Sequence, residues 1–168
     1  DILFLPSMTG IATALPSPGE SVAKINHSTF SHKNENAHPG YYSVALDNGV
    51  IVELTATPRC GLQRYTACRD GVMSVVVDLG FAINWDTPES CSLNWDGTSL
   101  SGSRISHGWA DRQYEFFASQ FSKKPVSVAL FNEGNAVNST ELNGKNIFCI
   151  LSFEMKNDES LVVKTGIS

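Results

Sequence analysis

The side chains able to do chemistry fall into a few small groups. His32, Glu35 and His38 share one polar stretch, with His32 and Glu35 three residues apart. A structural zinc site needs about four ligands. No further ligand lies near these, and Lys33 would repel a cation, so hydrogen bonding to nearby backbone is the expected role and no metal site is assigned. Asp70, Asp78, Asp86 and Glu89 offer carboxyls. Glycoside hydrolysis needs two carboxyls at a set separation across the scissile bond, and spacing alone pairs no two of these. Asp70 and Asp86-Thr87-Pro88 read as turns. A nucleophile elbow is absent, because Gly102-Ser103 lacks the second glycine. Phosphate-loop, dinucleotide and EF-hand patterns are absent too. No catalytic residue is assigned.

His107, Trp109 and Asp111 are grouped beside Tyr114, Phe116 and Phe117. A tryptophan among polar groups can stack on a sugar ring. The competing reading is a Trp that plugs one end of the fold, and it is favoured because large aromatics are usually mostly buried. Trp85 and Trp95 pose the same choice. Arg59 and Arg64 flank Gly61. They could clamp a carboxylate or tie loops together through backbone carbonyls, and the second, structural role is favoured. Cys60, Cys68, Cys91 and Cys149 match no metal or redox spacing. Cys68 and Cys149 sit in apolar runs that suggest buried free thiols. Asn26-His27-Ser28 and Asn138-Ser139-Thr140 are sequons, which matter only if the source glycosylates.

The chain has 168 residues, 42% of them hydrophobic, and a net charge of −5 from 12 basic and 17 acidic residues. That is enough apolar material for one core. Lys123-Lys124 is the one adjacent basic pair, so the basic stripe that nucleic acid requires is missing. No apolar run approaches the ~20 residues of a membrane span.

The elements that must position these groups read as strands. Tyr41–Leu46 and Val50–Thr57 alternate around Asp47-Asn48-Gly49, a hairpin turn whose residues accept positive φ. A third strand follows the break at Pro58-Arg59-Cys60-Gly61. Val72–Leu79 is almost continuously apolar, which predicts a strand covered on both faces. Residues 92–106 read as a hairpin through Asp96-Gly97, and 113–121 as an aromatic strand. Residues 6–19, 81–91 and 132–145 read as irregular connections, the last as the place for disorder, and 21–28 as ambiguous. About nine or ten short strands with few or no helices make an all-β antiparallel β-sandwich, one domain over residues 1–168.

Several segments together carry a family resemblance. They are Phe30-Ser31-His32 with Glu35, Ala37 and Pro39-Gly40-Tyr41-Tyr42-Ser43-Val44; Glu53-Leu54-Thr55-Ala56-Thr57-Pro58-Arg59 with Gly61 and Arg64-Tyr65; Gly108-Trp109-Ala110-Asp111 with Gln113-Tyr114 and Phe117; and Val163-Lys164-Thr165-Gly166-Ile167-Ser168. In order and spacing the chain resembles the N-terminal domain of family 92 glycoside hydrolases, bacterial α-mannosidases. Gln63 departs from it, standing where the family usually has His.

The resemblance implies a supersandwich, galactose-mutarotase-like, packed against a helical (α/α) barrel. It implies a calcium-dependent, inverting, exo-acting α-mannosidase whose acid, base and calcium ligands lie beyond Ser168, with further sugar-contacting segments before Asp1. The chain is then expected to be a non-catalytic fragment of that enzyme, inactive alone and without a cofactor of its own. On that footing Trp109, His107 and Asp111 are the substrate-binding candidates, and Arg59, Arg64, His32 and Glu35 the interdomain or structural ones. The implied partners are the C-terminal helical catalytic domain and mannose-containing glycans, with self-association where an apolar face is left uncovered. The implied location is periplasmic, secreted or cell-surface. The alternative is a free-standing carbohydrate-binding or adhesion module, which the Trp109 loop supports.

Overall fold

The computed structural model describes residues 1–168. It contains fourteen strands and one single-turn helix: β1 (Leu3–Ser7), α1 (Ala23–Asn26), β2 (Phe30–His38), β3 (Tyr41–Leu46), β4 (Val50–Thr57), β5 (Cys60–Ala67), β6 (Gly71–Asp78), β7 (Thr87–Trp95), β8 (Ser99–His107), β9 (Gln113–Phe121), β10 (Ser127–Asn132), β11 (Asn135–Val137), β12 (Glu141–Gly144), β13 (Ile147–Met155) and β14 (Ser160–Ile167). They form two antiparallel sheets. The smaller has the order β1-β6-β13-β10-β11 and the larger β12-β7-β8-β9-β14-β5-β4-β3-β2. The architecture is the expected all-β sandwich.

The core lies between the sheets. Alternate residues of each strand point inward, and Val52, Tyr65, Leu93, Leu100, Phe117 and Val163 of the large sheet meet Met73, Val75, Val77, Cys149, Leu151 and Phe153 of the small one. Strands β6 and β13 are apolar on both faces for a reason visible in the structure. The segment after β1 folds back over the small sheet, and Val22, Ile11 and Leu15 pack there against Val76, Phe131, Phe148 and Ile150. The rings of Phe131 and Phe148 stack at 4.7 Å.

Three stretches differ from the sequence reading. Residues 30–38 form an edge strand paired with β3, with a bulge between Phe30 and Glu35. Their polar side chains hide the alternation because both faces of that edge are wet. Residues 132–145 contain β11 and β12, which pair with β10 and β7. The β7 strand starts earlier than expected, and a register shift between Pro88 and Ser90 absorbs the proline. The ambiguous 21–28 segment holds α1. Cys68 is exposed, not buried, since it lies just past the end of β5.

Asp78 fastens the covering segment. Its carboxylate accepts hydrogen bonds from Ser21 Oγ (2.6 Å) and Gly80 N (2.8 Å) and is fully buried. Burial raises its pKa, and these bonds oppose the rise without cancelling it. A carboxyl with a raised folded pKa stabilises below the unfolded value of about 4 and loses that contribution as pH rises through the folded value. Wild-type stability should therefore fall relative to Asp78→Asn between pH 4 and the raised pKa, as urea unfolding at stepped pH would measure.

Thiol chemistry gives a second check on the packing. Burial pushes Cys91 up to about 11 and Cys149 up to about 12. The thiolate is the reactive form, so a thiol reagent should label Cys68 first in the native protein. It should reach Cys91 and Cys149 only after denaturant is added.

Candidate functional site

One end of the sandwich carries exposed aromatic side chains. Trp109 sits in the β8–β9 loop and Trp85 in the connection leading to β7. They are 84% and 62% exposed, with ring centroids 5.4 Å apart and planes inclined at 47°. Trp109 is therefore no plug, and the favoured reading of it fails because its loop projects past the last paired residues of β8 and β9. Trp95 does take the packing role, lying against the core edge and Phe121. Beside the two exposed rings lies a cavity of about 260 Å³, lined by Asn84, Asp86, Gln113 and Glu115, by Asp1 and Ile83, and by both tryptophans, with the Asp1 ammonium donating to Glu115 Oε2 at 3.0 Å.

The segment that carries Trp85 and Asp86 to this cavity is held by Arg104, which bonds Asp86 from within the sandwich. Inward positions of β8 are Leu100, Gly102, Arg104 and Ser106, so alternation sends a guanidinium into the sandwich. Arg104 is completely buried. Its Nε donates to Leu79 O (3.0 Å), its Nη2 to Phe81 O (3.4 Å) and its Nη1 to Asp86 Oδ2 (2.7 Å). Three bonds from one planar fork fix residues 79–86 against the sheet, a geometry lysine cannot copy. Glu115 Oε2 lies 3.8 Å from the same Nη1. Burial works to raise the Asp86 pKa, but the Arg104 hydrogen bond and charge outweigh it and hold Asp86 below the usual range. A general acid must carry a proton at working pH. Asp86 is held ionised, which rules it out as a general acid, and its carboxylate can accept a hydrogen bond from a hydroxyl.

His107 and Asp111 are adjacent, but they face each other. His107 Nδ1 lies 2.7 Å from the Asp111 carbonyl, and Gly108 N donates to Ala110 O at 3.2 Å. Together they close the loop that presents Trp109. His32 and Glu35 lie at the opposite edge of the large sheet. There His32 Nδ1 bonds Glu35 Oε2 (2.7 Å) and Tyr42 OH donates to Glu35 Oε1 (2.7 Å), so the pair bonds within itself and to Tyr42. The imidazole and phenol bonds lower the Glu35 pKa. Arg64 forks onto the Glu53 carboxylate across β5 and β4, with Tyr41 OH donating to the same group. It is a carboxylate clamp internal to the chain, not a tie to loop carbonyls. Arg59 contributes its carbonyl, which accepts from Ile167 N at 3.0 Å. An exposed pair such as Arg64–Glu53 is worth little, so Arg64→Ala should leave the urea-unfolding midpoint close to that of the wild type.

No three His, Cys, Asp or Glu side chains come together in a way that could hold a metal ion. Sequence reasoning missed Arg104, Asp86 as its partner, and Trp85 as the companion of Trp109. The available clue was a cation at an inward position of an alternating strand.

The model of the glycosyl hydrolase family 92 N-terminal domain matches residues 1–168. The chain belongs to this family. Among solved structures, the family GH92 α-mannosidase BT3965 from Bacteroides thetaiotaomicron superposes with a TM-score of 0.85 at 28% identity, covering 100% of this chain and 24% of that one. The same enzyme in complex with mannoimidazole gives 0.85 at 29% identity, covering 100% and 23%. The GH92 inverting mannosidase BT2199 from Bacteroides thetaiotaomicron VPI-5482 shares the fold, with a TM-score of 0.77 at 22% identity over 99% of this chain and 21% of that one. No curated protein matches. This family 92 N-terminal domain thus spans about a quarter of the length of the solved relatives. No helix in it is long and apolar enough to cross a membrane.

Proposed function

We propose that this chain is the non-catalytic N-terminal domain of a calcium-dependent, inverting exo-α-mannosidase that trims α-mannosides from glycans. Its work is to buttress a helical catalytic barrel and to line the sugar cleft at the Trp109 loop, with His107 and Asp111 shaping that loop. The observation that carries this reading is the family match over every residue. The exposed Trp109–Trp85 end supports the cleft-lining part, and the carboxyls that do the chemistry belong to the rest of the parent chain. Calcium, a hard cation that prefers oxygen ligands, belongs on that part too.

The outer face of the large sheet suits a partner domain. Tyr114, Phe116 and Leu62 are exposed on it, Arg64 lies on the same face beside Leu62's strand neighbours, and Arg59 and the His32–Glu35 pair are the further interdomain candidates. If the barrel is absent, a second copy covering this face would account for self-association. A periplasmic or secreted location follows from the same reading. The Trp pair also favours a second reading, a free-standing carbohydrate-binding module.

A chromogenic α-mannoside separates the two. The 168-residue chain should release no chromophore in calcium buffer. The longer protein that continues past Ser168 should release it and should stop when calcium is chelated. Hydrolysis by the 168 residues alone would contradict the proposal.

A further inference from the structure

We propose that Trp85, Trp109, Gln113 and Glu115 form a subsite that binds one neutral hexopyranose ring through this chain's own residues. The inference rests on the cleft-lining reading above and names the residues and the ligand class. Two large indoles exposed at one end of a sandwich with a well-formed core call for a partner, since tryptophan is usually highly buried. Their inclination of 47° makes a V, not a flat platform. A pyranose fits that shape, placing its apolar C–H face on one ring and its edge against the other.

The cavity volume sets the size of the ligand. At about 260 Å³ it falls just under the 300–1,000 Å³ typical of drug-sized ligands, so it takes one ring and not an extended oligosaccharide. The polar lining sets the chemistry. The side-chain amides of Asn84 and Gln113 make no hydrogen bond within the chain, Asp86 supplies an acceptor beside them, and Glu115 keeps Oε1 as an acceptor while its Oε2 accepts from the Asp1 ammonium at 3.0 Å. Amides that both donate and accept, next to carboxylates that accept, match a set of hydroxyls. The carboxylates of Asp1, Asp86 and Glu115 outnumber the Asp1 ammonium and the Arg104 guanidinium that pair with them, so the lining disfavours an anionic sugar. Asp86 is pinned by the buried Arg104, so the wall that carries Trp85 is organised before the ligand arrives, which reduces the ordering cost of binding.

The test is a tryptophan-emission titration of the chain with methyl α-mannopyranoside, and with an anionic uronic acid as control. Saturable quenching is expected with a Kd on the order of 1 mM, weak as befits one ring on an open site. Trp109→Ala and Trp85→Ala should each weaken binding at least tenfold. Because both side chains are exposed, their unfolding midpoints should match wild type. Gln113→Ala, which leaves the aromatic pair intact, should weaken binding less, and the uronic acid should bind more weakly than the neutral glycoside. No saturable change in the wild type, or wild-type affinity in both tryptophan variants, would overturn the subsite.

Kinetics of the longer protein keep the two levels apart. Trp109→Ala there should raise KM for an α-mannoside about tenfold and leave kcat within a few-fold, the pattern of lost uniform binding. Unchanged KM and kcat would sink the subsite and leave the family-based reading standing. A longer protein that hydrolyses no α-mannoside, while the chain still binds the sugar, would sink that reading and leave the subsite standing.

Discussion

Replacing Arg104 with alanine is expected to destabilise the protein by about 3–5 kcal/mol, the usual result of removing one partner from a buried ion pair. Three acceptors lose their donor together: the carbonyls of Leu79 and Phe81 and the carboxylate of Asp86. The guanidinium is completely buried, so water cannot replace it without opening the sandwich. Urea unfolding should show a lower midpoint with an unchanged slope, since the surface exposed on unfolding stays the same. Arg104→Lys should recover only part of the loss, because an ammonium cannot span three acceptors in one plane. Asp86 adds a pH dependence. Its folded pKa is lowered, so its contribution is present above about pH 4 and is lost as pH falls through the lowered value. In Arg104→Ala that acid-side loss should flatten. An Arg104→Ala protein with wild-type stability would mean that the connection carrying Trp85 is held by something else.

The second large effect is expected at Gly102, in the middle of β8. A Cβ there would lie 2.1 Å from the Ser92 carbonyl oxygen and 2.8 Å from Phe117 Cε1. The nearest obstacle is backbone of the neighbouring strand, which cannot rotate away. The next is a buried ring that uses the space above the glycine. A glycine inside a strand often marks such a close approach. Overpacking a core usually costs about 1–3 kcal/mol and sometimes more, and a clash with both backbone and a core ring places Gly102→Ala at the upper end, about 3 kcal/mol. The β7–β8–β9 register positions both the Trp85 connection and the Trp109 loop. Hydrogen exchange should therefore rise along all three strands in this variant. Protection equal to wild type would show that the strands can part at no cost.

How much the sequence discloses depends on what a residue faces. The hairpin through Asp47-Asn48-Gly49 is plain because Gly49 needs positive φ (90°) and the flanking strands alternate cleanly against a core. Strand β6 is plain because both its faces are covered. The edge strands β2, β11 and β12 are hidden, since polar residues on two wet faces leave no period to detect. The candidate site divides in the same way. Trp109 stands out by residue type and its loop, but its exposure depends on how far β8 and β9 extend before they part. Trp85 is brought beside it only by the Arg104 fork, a contact spanning residues 79–104 that spacing does not encode. Arg64 and Glu53 become partners through the β4–β5 register, which also lies beyond any local motif.

The most direct test of the whole account is a crystal structure of the longer, calcium-loaded protein with an α-mannoside bound. The account predicts a mannose ring in van der Waals contact with Trp109 and Trp85, and every carboxyl at the scissile bond drawn from outside residues 1–168. A scissile bond flanked by Asp86 or Glu115 would contradict it. So would a Trp109 loop turned away from the sugar and buried against protein.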